Sequence, residues 1–239
     1  MAQQRLQKVL AAAGIDSRRN CEELMLEGAV RVNGEVVDKL PFFVDAEKDV
    51  ITVNGQKIHA AKKAYFLLNK PKGVTCNEHD PQGRRKVTDI VKAGGRTFCI
   101  GRLDTESPGP VILTSDSELA NRLTHPKYEL PKTYIAEVKG QIRGEAVEKL
   151  KKGVWLSEGR TAGASVKILK RGQTSSLLEI TIRQGLNRQI RRMLAKVGLP
   201  VKSLKRTQIG KLDTHKLGVG KFRPLSEAEV AYLKKTVDS

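Results

Sequence analysis

Apolar positions along the first sixty residues change their period once, from helical to alternating. Leu6, Val9, Leu10 and Ala13 recur at the spacing of one helical face, and Gly14 follows where a left-handed C-cap ends a helix. Ser17 is placed to cap a second helix with Cys21, Leu24 and Met25 inward and Gly28 as its stop. Ala29-Val30-Arg31-Val32 and Glu35-Val36-Val37 then flank Asn33-Gly34, a strong type I′ hairpin signal. Val50-Ile51-Thr52-Val53 with Asn54-Gly55 predicts a second hairpin closing near Ile58. The recurring Val-Asn-Gly is two hairpins, too short a unit for a solenoid repeat.

The small, charged stretch 59–64 reads as a linker, which divides the chain into domains at 1–60 and 61–239. Tyr65-Phe66-Leu67-Leu68-Asn69 predicts a buried strand stopped by Lys70-Pro71-Lys72-Gly73, and residues 79–86 predict an exposed basic loop. Helices are expected at 116–124 and 144–152, and strands at 133–139, 164–169 and 177–183. A further helix fits 187–197 with Ile190, Met193, Leu194 and Val197 inward. Strands interspersed irregularly with helices argue for an α+β fold rather than a regular βαβ series.

Apolar residues at 39% and charged residues at 29% suit a soluble globular protein of 239 residues. No run of roughly 18 apolar residues exists to span a membrane. The leading MAQQRLQKVL lacks the apolar core of a secretion signal, and three widely spaced cysteines (Cys21, Cys76, Cys99) favour free thiols; a cytoplasmic protein is expected. The net charge of +18 changes the picture most, because it is unevenly placed. Residues 1–60 hold 8 Lys/Arg against 9 Asp/Glu, whereas residues 183–223 hold 12 basic residues against the single acid Asp213. Such a block draws in a phosphate backbone; a merely solvated basic face is the plainer alternative. Anionic membrane is disfavoured, since no strongly amphipathic terminal helix accompanies the charge. His59, His79, His125 and His215 neither cluster nor pair with cysteines at ligand spacing, so no metal site is expected.

Against this background Asp104, in Ile100-Gly101-Arg102-Leu103-Asp104, is the one carboxylate packaged like a catalytic group. An acid without a metal cluster or nucleotide loop, in a chain with a basic helix, points to a cofactor-free enzyme acting on a polyanion.

The opening Arg5-Leu6-Gln7-Lys8-Val9-Leu10, with Gly14, Ser17-Arg18-Arg19 and Gly28-Ala29-Val30-Arg31-Val32-Asn33-Gly34, resembles the S4 RNA-binding domain. That likeness implies RNA contacts at Arg5, Lys8, Ser17, Arg18 and Arg19; a plain helical packing domain is the alternative. Gly101-Arg102-Leu103-Asp104, Lys132-Thr133-Tyr134, 185–193 and Leu204-Lys205-Arg206, in that order, resemble the S4-bearing pseudouridine synthases of ribosomal RNA. The resemblance spans essentially the whole chain, and its opening residues look more like large-subunit than small-subunit members. It implies a small S4-like domain of helices plus hairpins, followed by a catalytic domain on a mixed, largely antiparallel sheet with flanking helices.

The implied reaction breaks the bond from ribose C1′ to uracil N1 and rejoins the base through C5, with no cofactor. The resemblance assigns the catalytic carboxylate to Asp104, leaving open whether it attacks covalently or removes a proton. It pairs that carboxylate with Arg191, whose guanidinium would keep it ionised and aimed in a dry pocket. Tyr134 matches a pocket tyrosine and Leu204 an apolar wall, though either could be ordinary core. Arg102 matches the residue that fills the space left by an everted base, an extrusion costing a few kcal/mol. Arg188 and Arg192 are expected to meet phosphates or solvent, and Lys205 and Arg206 also to bind RNA. The expected partner is ribosomal RNA, free or in a pre-ribosomal particle, met by a monomer.

One segment departs from the family pattern. Where relatives continue into Thr, an acidic residue, Gly and Leu, this chain has Ser107-Pro108-Gly109-Pro110. Serine keeps a hydroxyl, but two prolines remove backbone donors beside the catalytic loop. The rival reading is a non-catalytic ribosome-binding or assembly protein that kept the fold. A DNA-binding regulator is disfavoured by the near-neutral charge of residues 1–60 and by the hairpins.

Overall fold

A computed structural model describes residues 3–58, 63–78, 80–92, 96–128 and 130–238. Most of the expected linker and His59 and His79 lie outside them. The chain divides into two compact units, one built mainly from residues 1–64 and the other from Tyr65 onward, with 93–97 and 115–117 grouped with the first.

In the first unit β1 (Gln4–Arg5) leads into α1 (Leu6–Ala12) and α2 (Arg18–Leu26). Then follow β2 (Val30–Val32), β3 (Glu35–Val36), β4 (Phe43–Val44), β5 (Ile51–Val53) and β6 (Gln56–Lys57). Ser17 Oγ accepts from Asn20 N at 3.0 Å, the expected N-cap. Asn33-Gly34 and Asn54-Gly55 both sit at positive φ (53° and 90°, 49° and 78°), as type I′ turns require. The inward face of α1 is Leu6, Gln7, Leu10 and Ala11, with Val9 and Ala13 only partly covered. The helix begins at Leu6, and Gln7 turns inward because its amide donates to Glu22 on α2 at 2.7 Å.

The second unit starts with β7 (Tyr65–Lys70), α3 (Val87–Ile90), β8 (Phe98–Ile100) and β9 (Gly109–Thr114), then α4 (Ser117–Thr124) and β10 (Lys132–Lys139). It continues through α5 (Gly144–Lys152), β11 (Trp155–Leu156), β12 (Gly159–Arg160), β13 (Ser165–Arg171) and β14 (Ser175–Ile182). It closes with α6 (Gln189–Lys196), β15 (Val201–Ile209), β16 (Leu212–Asp213), β17 (Phe222–Pro224) and α7 (Glu227–Asp238). Two larger sheets form, in the orders β17-β7-β9-β8 and β13-β14-β10-β15-β16. Every strand ladder is antiparallel, and the one parallel element among the described residues is the isolated bridge Thr75–Lys86. The expected mixed, largely antiparallel sheet with flanking helices takes the form of two antiparallel sheets.

Burial follows from side-chain period. Strand β14 alternates strictly, with Ser176, Leu178, Ile180 and Ile182 inward, so one face of its sheet is wet. Strand β9 is buried along its whole length, because Val111 and Leu113 join one core cluster and Ile112 the other. Helices α5 and α6 cover the first cluster through Val147, Leu150, Ile190, Met193 and Leu194; α4 and α7 cover the second through Leu119, Leu123, Leu233 and Val237. Each such side chain contributes roughly 1.5–3 kcal/mol of transfer free energy.

The two sheets are stitched where β9 begins. Arg206 N on β15 donates to Pro108 O at 3.0 Å, and Arg206 Nε donates to Pro110 O at 2.9 Å. A strand residue's N and C=O point to the same side, so the imide nitrogen of Pro110 faces β15 and not the β7 ladder. Pro110 thus costs the β7 pairing nothing, and Gly109 between the two prolines has φ +129° with Arg206 O only 2.0 Å from where a Cβ would lie.

Gly109→Ala is accordingly expected to lower the unfolding free energy by at least about 2 kcal/mol, through strain and backbone collision together. Gly140→Ala, also at positive φ but with nothing within 4 Å of its Cβ, should lose only about 1 kcal/mol. Urea unfolding of both decides the matter; equal losses would mean that the sheets do not meet this closely.

Candidate active site

Residues 101–108 form the loop between β8 and β9, and their carbonyls are gripped from several sides. Cys99 Sγ donates to Gly101 O (2.9 Å), Arg206 Nη1 to Arg102 O (3.4 Å), and Gly73 N to Thr105 O (3.0 Å). Lys70 Nζ also reaches Thr105 O at 3.3 Å, while binding Pro71 O at 3.0 Å and Val74 O at 2.8 Å. The loop closes on itself through Ser107 N to Asp104 O at 3.0 Å. Its Leu103 N donates to Cys76 Sγ at 3.4 Å.

Asp104 extends from this frame with its side chain 29% exposed, reachable by a ligand and not sealed in the dry pocket expected. Its Oδ2 lies 3.4 Å from Arg188 Nη1 and 3.8 Å from Arg191 Nε. Arg191 is mostly covered and also leans on Ser107 Oγ, 3.5 Å from its Nη2. Its Nε, buried, makes no hydrogen bond within the protein.

Three arginine expectations need correction. Arg188 does not simply face solvent: it reaches the same carboxylate oxygen as Arg191. It is the N-cap of α6, in the left-handed region (φ 47°), so its direction is not bound by helical spacing. Such a conformation costs a non-glycine residue about 1–3 kcal/mol, a strain placed beside the carboxylate. Arg192 is not a free RNA-binding group, since it donates to Glu158 Oε1 (2.7 Å) and Ser157 Oγ (2.8 Å), and also pairs with Glu158 Oε2. One residue beyond Arg191 on a helix points it about 100° away. The Arg192 guanidinium, then the Ser157 hydroxyl, hold the Glu158 carboxyl down at about 2. Arg206 is not a surface group as expected, being 1% exposed beneath the loop. It sits on the inward face of β15, as Leu204 does, while Lys205 between them is exposed.

Tyr134 and Ala136 pair directly across the β10–β15 ladder with Arg206 and Leu204, so all four share one face. Arg206 Nη1 lies 3.5 Å from Tyr134 Oη, and its guanidinium carbon 5.9 Å from the ring centroid. The hydroxyl of Tyr134 is thereby linked through one side chain to the backbone two residues before Asp104. Tyr134 and Leu204 are both buried within the first core cluster. Arg102 is exposed and donates to Asn77 Oδ1 at 3.0 Å. In the other unit Arg5, Lys8, Arg18 and Arg19 are exposed, while Ser17 spends its hydroxyl oxygen on the helix cap.

Sequence reasoning passed over Lys70, fully buried at the end of β7. Burial pushes its amine below the usual lysine range, and neighbouring Arg206 adds to that. Lys132 falls to about 8, from burial first and Arg206 second, while donating to Leu130 O and Arg183 O. The neighbouring Cys99 thiol pulls the Cys76 thiol down, helped by Leu103 N–H, Lys70 and Arg206, while Cys76 and burial push Cys99 up. Buried Gln189 organises the turn before α6, accepting from Leu186 N at 3.1 Å and donating to Gln184 Oε1 at 3.2 Å. The signal for Lys70 was available: it shares the parity of buried Leu68. Among the described residues no three His, Cys, Asp or Glu side chains gather to hold a metal ion.

The arrangement aims one accessible carboxylate at which two guanidinium groups converge, on a loop tied through Arg206 to a buried phenol. The family described as RNA pseudouridylate synthase matches residues 64–196, and the S4 domain matches residues 4–51. The chain is 46% identical to ribosomal large subunit pseudouridine synthase B of Bacillus subtilis, covering 98% of this chain and 97% of that one. It is 40% identical to an uncharacterized RNA pseudouridine synthase of Aquifex aeolicus, over 99% of this chain and 96% of that one. A solved structure described as a pseudouridylate synthase matches with a TM-score of 0.69 at 28% identity, covering 96% of this chain and 99% of that one.

Proposed function

The chain belongs to the RNA pseudouridylate synthase family, and from that footing we propose that it converts a uridine of large-subunit ribosomal RNA to pseudouridine. The C1′–N1 bond breaks, the uracil turns, C5 bonds to C1′ and gives up its proton, and N1 gains one. Atoms and electrons balance within the nucleotide, so no oxidant or energy source enters. The observation that carries the reading is the carboxylate of Asp104, accessible yet met at one oxygen by both Arg188 and Arg191. RNA grip alone needs no such pairing, which weighs against a non-catalytic scaffold.

In this proposal Asp104 acts at the reacting centre and the two arginines hold its carboxylate in place. Arg191, the more covered, sets its aim, with Ser107 supporting the guanidinium. Tyr134 and Leu204 shape the base pocket, and Arg102 occupies the space left in the RNA by the everted nucleotide. Arg5, Lys8, Arg18 and Arg19 of the S4 domain, with Ser17 at the helix start, orient the RNA, and Lys205 meets its backbone. The protein acts as a monomer in the cytoplasm, where its three free cysteines suit a reducing environment.

Tritium release from ribosomal RNA labelled at uridine C5 tests the reading. Wild type should release tritium and Asp104→Ala should release none; equal release from both would remove the catalytic assignment. The two arginines should separate in the same assay. Arg191→Met is expected to lower turnover at least about 100-fold, as loss of a preorganised charge contact does. Arg188→Met, at a side chain 51% exposed, should cost about tenfold or less. Binding of RNA should stay near wild type in both variants, and undiminished turnover in Arg191→Met would contradict the pairing.

A further inference from the structure

We infer that Trp155 is a stacking platform for an unpaired base of the RNA substrate, carried on a stiff hairpin beside the arginine helix. The inference deepens the proposed function and rests on it. Trp155 is the only tryptophan in the chain and is 69% exposed. A ring of this size left in water forgoes a large burial gain, and an aromatic face is what a nucleobase needs.

The support beneath the ring is rigid. Trp155 pairs with Arg160 and Leu156 with Gly159. Val154 and Thr161 close the hairpin base through Thr161 N to Val154 O (2.9 Å) and Val154 N to Thr161 Oγ1 (3.1 Å). A Cβ on Gly153 would lie 2.1 Å from Thr161 O, and one on Gly163 2.0 Å from Lys151 O, so both ends are clamped by backbone contact. At the tip, Ser157 and Glu158 are held by Arg192, the next residue after Arg191, whose Nε is 3.8 Å from Asp104. The hairpin that carries the ring is therefore anchored to the helix that reaches the carboxylate, as the support of a platform that registers RNA to a reacting uridine must be.

The surroundings favour RNA over an apolar protein surface. Arg160, the cross-strand partner of Trp155, and Lys152, whose carbonyl Arg160 binds, are exposed, and neither has a carboxylate at ion-pair distance among the described residues. Arg160 Nη2 donates to Lys152 O at 3.1 Å, leaving its other donors free in the hydrogen bonds of the structure. An aromatic ring paired across the hairpin with an arginine that has no carboxylate partner matches a nucleotide, base on ring and phosphate on charge. An apolar partner would need a wider apolar patch than one ring among Lys152, Ser157, Glu158 and Arg160.

Because the chain has one tryptophan, its emission reports this site alone. The test titrates the protein with single-stranded oligouridylate and with an RNA duplex of equal length, following emission and filter retention together. Oligouridylate should quench the emission with the same midpoint as retention, and the duplex should be retained without quenching. Trp155→Ala should weaken oligouridylate binding about 10-fold, and Trp155→Phe by less than about threefold. Retention with unchanged emission, equal quenching by duplex, or wild-type binding by Trp155→Ala would each overturn the platform. Tritium release by wild type in those cases would leave the isomerase reading standing; quenching without any release would remove that reading and leave the platform.

Discussion

The site depends on how the backbone of residues 101–108 is held. Its carbonyls are bound from beneath by two buried cations, Lys70 and Arg206, together with Gly73 N–H and the Cys99 thiol. Burying a cation is expensive, several kcal/mol for each ion, unless dipoles and hydrogen bonds replace its water. Here the loop's own carbonyls are much of that replacement, each bond to a charged donor contributing roughly 1.5–3 kcal/mol. The cations therefore need the loop in one conformation, and the loop has little freedom of its own. A partly exposed aspartate on such a backbone is already positioned before RNA arrives, which is what electrostatic preorganisation requires.

The same contacts join the two halves of the catalytic unit. Arg206 belongs to the five-stranded sheet, yet its main chain and side chain serve Pro108 and Pro110 at the entrance to the four-stranded one. Gly109 permits that approach, and the prolines flanking it present their carbonyls toward β15, where no backbone donor of their own is missed. The Ser107-Pro108-Gly109-Pro110 departure from the family pattern is thus accommodated. The serine hydroxyl supports Arg191, and the prolines stiffen the turn into β9.

Local signals carried much of this fold. Asn-Gly turns encode their own dihedral angles, so both hairpins were legible, and α6 was legible because Ile190, Met193 and Leu194 keep helical spacing. The association of Asp104 with Arg191 came from the family resemblance. What escaped were charged residues whose role is internal. Lys70 and Arg206 look like surface groups in a basic chain; only their parity with Leu68 and Leu204 marks them as inward, and parity says nothing of the carbonyls waiting there. Arg188 escaped because the helix expected over 187–197 begins only at Gln189, leaving Arg188 as a left-handed N-cap. In α1 the inward face turned toward Gln7 because a side-chain hydrogen bond to α2 outweighed the apolar count.

The most direct measurement is on Arg206, buried and tied to the loop by main chain and side chain together. Single-turnover rate and RNA affinity should be compared for wild type, Arg206→Lys and Arg206→Met, each verified as folded by circular dichroism. An amine keeps the charge but cannot reach Pro110, Arg102 and Tyr134 at once. If the loop's anchorage positions Asp104, both variants should lose at least about 100-fold in rate with RNA affinity within about threefold of wild type. A folded Arg206→Met protein reacting at the wild-type rate would contradict the account.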